Sequence, residues 1–242
     1  MSHENWHPIW NKRGVTDASK LSIEALIRLD GYDTGAAEIA IEDWLFYAKS
    51  LAERIGIQDG QSVFEVGCGA GAFLAALRAA RKVDVGGIDY SSGLVENARQ
   101  ALPNGDFFVG DAELLAHEPA VDFVIANGVF HYFPLPKAQA ILKRMLNKAG
   151  TAVAVLDIPD CKTQAECEAV RRAALPEAEY ERKYARLEHT YFDRDWFADQ
   201  VNPDEWRSET VDGFIPNYGQ NRFRFAALFR RVAPLHTPNE RI

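Results

Sequence analysis

A glycine-punctuated run, Val63-Phe64-Glu65-Val66-Gly67-Cys68-Gly69-Ala70-Gly71-Ala72-Phe73, joins an apolar stretch to a helical one. Glycines at such a junction permit a tight turn and let a ligand approach the backbone closely. Gly67, Gly69 and Gly71 are the candidates for that approach, with Cys68 between them. Glu65, two residues ahead of Gly67, sets the sign of the ligand. Its carboxylate repels a diphosphate lying across the turn and attracts a cation. Three further points stand at the ends of later apolar runs. Asp89 follows Gly86-Gly87-Ile88 and can accept hydrogen bonds from both hydroxyls of a ribose, while Tyr90 beside it can pack on a base. Gly110-Asp111-Ala112 offers a carboxylate to an adenine amino group and a backbone amide to a ring nitrogen. Asn127-Gly128 offers a backbone carbonyl to an ammonium.

A ribose, an adenine and a cation without phosphate describe S-adenosylmethionine, which carries a sulfonium and an ammonium. The glycine spacing also departs from the two-residue gap of the dinucleotide fingerprint. On the other side of a transferable methyl group, a base is needed if the acceptor must lose a proton. His131, just past Asn127 in Asn127-Gly-Val-Phe-His131-Tyr132-Phe133, is the catalytic candidate. An ordinary histidine titrates near neutrality and can take that proton at working pH. Tyr132, His189, Asn217 and Tyr218 are candidate acceptor contacts. Trp6 and Trp10, with Lys12 and Arg13 behind them, suggest an amino-terminal segment folding over the cofactor, with Arg13 able to meet its carboxylate.

The elements that must hold these residues alternate. Strands are expected at 63–66, 83–88, 106–109, 121–126 and 151–156, and helices at 70–81, 93–102 and 136–147. Strict alternation implies βαβ units, a parallel sheet and helices on both faces. The run 121–126 is apolar apart from Asp122, as a strand buried on both faces requires. The four cofactor points then fall at the carboxyl ends of successive strands, where open α/β sheets bind ligands. Apolar residues at helical spacing over 39–55 predict a further helix, preceded by the turn-rich Asp30-Gly31-Tyr32-Asp33-Thr34-Gly35. The charged stretch 160–191 reads as amphipathic helices around Pro176, and Asp193 as the cap of another helix. Residues 206–212 and 223–231 read as an antiparallel pair of strands around a loop, and the tail after Pro234 as loose.

The sequence of 242 residues carries 35 acidic and 27 basic side chains, a net charge of −8, which argues against a protein that clamps nucleic acid through its phosphates. The pairs Arg171-Arg172 and Arg182-Lys183 read as solvated helix faces. No run approaches the ~18 apolar residues that span a bilayer, and the start lacks the features of a signal peptide, so the expected address is the cytoplasm. Cys68, Cys161 and Cys167 are expected to be reduced thiols.

In its ordered set of motifs, from Glu65-Val-Gly67-Cys-Gly69-Ala-Gly71 through Asp89 and Asp111-Ala112 to Asn127, the segment 61–157 resembles the class I S-adenosylmethionine-dependent methyltransferases. The resemblance implies a Rossmann-like α/β fold: a seven-stranded, mostly parallel sheet whose last strand is antiparallel, with helices on both faces. It implies that Glu65, Gly67, Gly69 and Gly71 form the first cofactor motif, that Asp89 grips the ribose, and that Asp111 with Ala112 reads adenine. Catechol-type members hold magnesium with acids after the fourth and fifth strands. Those places here hold Asn127 and Asp157, with Asp160 nearby, and no metal is expected. Members acting on bases of DNA carry Asn/Asp-Pro-Pro-aromatic after the fourth strand; Asn127-Gly128-Val129-Phe130 lacks the prolines.

The expected organisation is an amino-terminal helical cover over 1–60 and a methyltransferase domain over 61–242 with a helical lid at about 158–191. The expected function is methyl transfer to a hydroxyl or amine of a small molecule, such as a natural-product or sugar intermediate. The alternatives are an NAD(P)-dependent oxidoreductase and a non-catalytic module that binds S-adenosylmethionine.

Overall fold

A computed structural model describes residues 6–14, 21–32, 38–174, 176–184 and 187–232, with side chains described except at 182–184. Asp33-Thr34-Gly35, the Arg182-Lys183 side chains and the tail after Pro234 lie outside the described residues. The strands are β1 (Ser62–Val66), β2 (Asp84–Asp89), β3 (Asp106–Val109), β4 (Val121–Asn127), β5 (Ala149–Pro159), β6 (Trp206–Asp212) and β7 (Arg224–Arg231). They form one sheet in the order β3-β2-β1-β4-β5-β7-β6. The pairs β1·β2, β1·β4, β2·β3 and β4·β5 are parallel, and β7 lies antiparallel to both β5 and β6. The last strand therefore opposes the other six, as the resemblance implied.

Two apolar layers cover the sheet. One packs α3 (Ile41–Ile55), α4 (Ala72–Ala80) and α5 (Ser92–Ala101), through Trp44, Leu51, Phe73, Leu77 and Val95, onto Val63, Phe123 and Ala154. The other packs α6 (Leu135–Lys148) and α9 (Arg194–Ala198), through Ile141, Met145 and Phe197, onto Val66, Val124 and Phe229. Residue period explains both layers, since side chains alternate across a strand and return every three or four residues on a helix. Asp122, the one polar interruption of β4, accepts hydrogen bonds from the backbone amide and hydroxyl of Ser62, each at 2.8 Å. It ties the entrances of β1 and β4 together. Asp193 caps α9 by accepting from the Asp195 amide at 2.9 Å.

The structure divides the expected amino-terminal cover. Helix α3 belongs to the layer against the sheet, with Trp44, Tyr47 and Leu51 fully enclosed. The segment that lies over the ligand end is 6–14 with α1 (His7–Trp10), followed by α2 (Ile23–Leu29). At the other expected boundary, β5 runs on to Pro159, past the limit of 156. Its register with β7 shifts between Val155 and Ile158, and Asp157 takes a left-handed φ of 54°. That irregularity hides the strand's continuation from pattern reading. The helical stretch accordingly begins after the strand, with α7 (Gln164–Ala173) and α8 (Glu177–Tyr184). Among the described residues, no helix is long and apolar enough to cross a membrane, and the three cysteines form no disulfide.

Candidate functional site

The carboxyl ends of β1, β2, β4 and β5 open into a cavity of about 1020 Å³. That volume stands at the upper end of the ~300–1,000 Å³ common for ligand pockets, enough for two ligands side by side. The glycine loop forms part of its floor. Gly67, Gly69 and Gly71 all have positive φ. A Cβ on Gly67 would stand 2.5 Å from Val129 Cγ1, and one on Gly69 would collide with the Asp30 carboxylate. The chain itself uses the space that these glycines leave. Asp89 locks the loop to the end of β2: its Oδ2 accepts from the Gly69 amide at 3.1 Å and its Oδ1 from the Ser91 amide at 2.8 Å.

Asp30 is the residue that sequence reading missed. Its two oxygens accept from the Ala70 amide at 2.6 Å and the Ala72 amide at 3.1 Å, at the amino-terminal end of α4. In dinucleotide folds this is where a pyrophosphate sits. Here a carboxylate of the same chain holds those amides. Burial raises its pKa to about 7, although the two amides pull the other way. Glu65 lies beneath, 3% exposed, with no hydrogen-bond partner for Oε2; burial and then the charges of Asp30 and Asp89 push its pKa well up. Asp89 is raised as well, chiefly by burial. Three carboxylates crowded in this way are relieved by a cation.

The remaining predicted cofactor residues vary in placement. Tyr90, Asp111, Ala112 and Asn127 line the cavity, as do Gly67 and Gly69, whereas Glu65, Cys68 and Gly71 lie behind its wall. One face of Tyr90 is stacked on His7, with ring centres 4.2 Å apart. Asp111 accepts from the Glu113 amide at 2.9 Å and pairs with Lys137 Nζ at 2.8 Å. Burial opposes its ionisation, but Lys137 and the Glu113 amide outweigh it and hold its pKa below the usual carboxylate value. The Asn127 side chain accepts from the Tyr47 hydroxyl at 3.0 Å. Arg13 lines the cavity, stacks over Trp10 at 4.8 Å, and donates to the carbonyls of Arg28 and Leu29.

At the other end of the cavity, His131 sits in the short turn Phe130–Tyr132, and its carbonyl accepts from the Thr190 amide at 2.9 Å. Its ring meets His189 edge-on, with centres 4.7 Å apart, and its Nδ1 has no hydrogen-bond partner. Burial, helped by His189, Arg224 and Arg171, pushes its pKa well below 6.5. The expectation of near-neutral titration is therefore corrected: His131 is uncharged at neutral pH and able to accept a proton, though as a weaker base. Tyr132, His189 and Tyr218 line the same end. Asn217 does not reach it; its amide donates to both carboxylate oxygens of Asp43 at 3.1 Å on the outer surface of α3. Arg171 corrects another expectation, since it lines the cavity, whereas Arg172 pairs outside with Glu177 and Glu181. Asp157, considered above as a metal ligand, stands 3.3 Å from Arg224 Nε in a buried ion pair. Among the described residues, no cluster of three or more His, Cys, Asp or Glu is arranged around a common metal position.

Residues 63–150 match the family model for a methyltransferase domain. The chain is 33% identical over 88 residues to trans-aconitate 2-methyltransferase of Azoarcus sp. (strain BH72), covering 36% of this chain and 35% of that protein. It is 34% identical over 116 residues to the enzyme of the same name from Methylobacterium radiotolerans, covering 47% and 44%. The chain thus spans less than half the length of the curated relatives it matches. Residues 63–150 carry a methyltransferase domain, and the sheet around them has the class I fold. S-adenosylmethionine is the cofactor of that class.

The architecture of the methyltransferase domain is shared well beyond the matched segment. The plantazolicin methyltransferase BpumL in complex with S-adenosylhomocysteine superposes with a TM-score of 0.63 at 13% identity, covering 95% of this chain and 93% of that one. The magnesium protoporphyrin IX methyltransferase of Synechocystis PCC 6803 with the same ligand gives 0.54 at 17%, covering 94% and 92%. At these identities the likeness is one of fold. Asp89 on the glycine loop, a buried Glu65 with an unpartnered oxygen, and Asp30 on the amides that a phosphate would need make a site suited to a cationic, phosphate-free ligand.

Proposed function

We propose that the chain transfers the methyl group of S-adenosylmethionine to an oxygen atom of a small molecule. The observation that carries this reading is a carboxylate-ringed glycine loop sharing one cavity with an uncharged, buried histidine. The cofactor, when bound, supplies a methyl group on a positively charged sulfur. Asp89 would hold the ribose, Asp111 and Ala112 the adenine, and the carboxylates of Asp30 and Glu65 the cationic end. His131 would accept the proton of an acceptor hydroxyl as the oxygen's lone pair forms the bond to carbon and the sulfur–carbon pair remains on sulfur. Tyr132, His189 and Tyr218 would fix the acceptor, since alignment alone can be worth ~7–11 kcal/mol in a displacement at carbon. Trp6 and the segment at 187–190 would exclude water.

The acceptor of the curated relatives, by their names, is trans-aconitate. The family match ends at residue 150, ahead of every lid and β7 residue that lines the acceptor end here. Aromatic walls and two arginines favour a natural-product intermediate over a sugar. The oxidoreductase reading is disfavoured because Asp30 takes the helix amides on which a diphosphate depends.

Calorimetric titration with S-adenosylhomocysteine tests the cofactor site, and methyl transfer from labelled donor to a panel of small hydroxylated molecules tests the activity. No binding of donor or product at millimolar concentration would refute the reading. Binding without transfer to any acceptor would favour the non-catalytic module.

A further inference from the structure

The cavity is electrically polarised along its length. Its cofactor end bears Asp30, Asp89, Asp111 and Glu113, with Glu65 behind, against Lys137, which pairs with Asp111 and Glu113, and Arg13. Its acceptor end bears Arg171 from α7 and Arg224 from the start of β7, with Asp157 as the only acid facing them among the described lining residues. His131 stays uncharged there and His189 is beside it. Arg224 is 8% exposed, and its one charged partner among the described residues is Asp157, at 3.3 Å from Nε. Neither Nε nor Nη1 makes a hydrogen bond. A guanidinium has five donors in a planar fork suited to carboxylates, and leaving buried donors unmade is costly. An arginine held in this state on a cavity wall has donors in excess of what the fold supplies.

We propose that the acceptor carries a carboxylate, and that Arg224 together with Arg171 anchors it at this end of the cavity. The proposal rests on the methyl-transfer reading of the same site and adds the acceptor's chemical class. Arg224 keeps unmade donors beside a single aspartate, which leaves room for one further negative charge. A carboxylate meets that condition, whereas a doubly charged phosphate ester would be repelled by Asp157. An anionic acceptor also complements a cationic donor, so each ligand improves the field for the other. Arg171, in the last turn of α7, donates to the Tyr191 hydroxyl at 3.4 Å, which holds it in place.

The test is calorimetry on the full chain saturated with S-adenosylhomocysteine. The probes are benzoate, 4-hydroxybenzoate and trans-aconitate, each against its amide, with phenyl phosphate as a further arm. At least one acid should bind tenfold or more tightly than its amide. Arg171→Gln should reduce that preference at least fivefold while the affinity for S-adenosylhomocysteine stays unchanged. Arg224→Lys, which keeps the charge opposite Asp157 but loses the fork, should weaken the acid and leave the amide as it was. Acids no tighter than their amides throughout, or a preference untouched by Arg171→Gln, would overturn the proposal. Phenyl phosphate binding more tightly than every acid would overturn the carboxylate assignment. If the unaltered chain fails to bind S-adenosylhomocysteine, the methyl-transfer reading itself falls, and that failure is seen before any acid is added.

Discussion

Asp30 makes cofactor binding a proton-releasing event. Its carboxyl, lifted by burial from 3.8 to about 7, is about nine-tenths protonated at pH 6 in the free protein. A cation placed among Asp30, Glu65 and Asp89 favours the ionised forms. If it returns Asp30 to the ordinary carboxylate range, about 0.9 proton leaves per ligand bound at pH 6, and almost none at pH 8.5. Glu65, also raised, adds to the release. The ligand's own amino group, with an ordinary pKa of about 8, stays protonated at pH 6 and contributes nothing there. The assay is calorimetry of S-adenosylmethionine binding in buffers of different ionisation enthalpy, whose slope gives the protons exchanged. Asp30→Asn keeps one acceptor for the α4 amides and should lower the release by close to one proton. Zero release at pH 6, or a release unaltered by Asp30→Asn, would refute the carboxylate-cluster argument.

The same group shapes stability without ligand. A raised carboxyl pKa means that Asp30's contribution is complete below about pH 4 and lost as pH rises through about 7. Thermal unfolding of the free protein should therefore show a decline from pH 5 to 8 that is shallower in Asp30→Asn. Asp89→Ala removes a charged acceptor and should weaken S-adenosylhomocysteine by roughly 1.5–3 kcal/mol; unchanged calorimetric affinity would show the ribose to be elsewhere. His131→Ala should cut turnover heavily with near-normal cofactor affinity, and in the unaltered protein the histidine should impose a fall in rate only on the acid side of pH 6.5. Unaltered turnover would remove it from the mechanism. Gly69→Ala puts a Cβ against the Asp30 carboxylate at a left-handed φ of 51°, and should cost about 1–3 kcal/mol by chemical denaturation. A double variant with Asp30→Ala should recover part of that loss.

Most of the framework was legible because it is written locally. Apolar period and glycine junctions mark β1 to β4 and the helices between them, and the carboxyl-end rule then gathers Asp89, Asp111 and Asn127. What escaped depends on residues far apart in the chain. Asp30 meets Ala70 from 40 positions away, and nothing in its own turn-rich surroundings signals that contact. Arg171 and Arg172 look alike in sequence, and only the packing of α7 turns the first inward. The ionisation of His131 follows from enclosure and from arginines on other elements, so its type alone suggested the wrong titration range. Asn217 and Tyr218 share one loop between the last strands, but Asn217 has a left-handed backbone and its amide donates to Asp43.

Trp6 donates from Nε1 to the Glu188 carbonyl at 2.9 Å and lies flat on His189, 4.8 Å between ring centres. Two strips of chain from opposite ends of the sequence are thereby clasped across the mouth of the pocket. Separating them breaks this hydrogen bond and this stack. A turnover limited by that separation slows in viscous solvent, and a rate independent of viscosity would place the limit elsewhere.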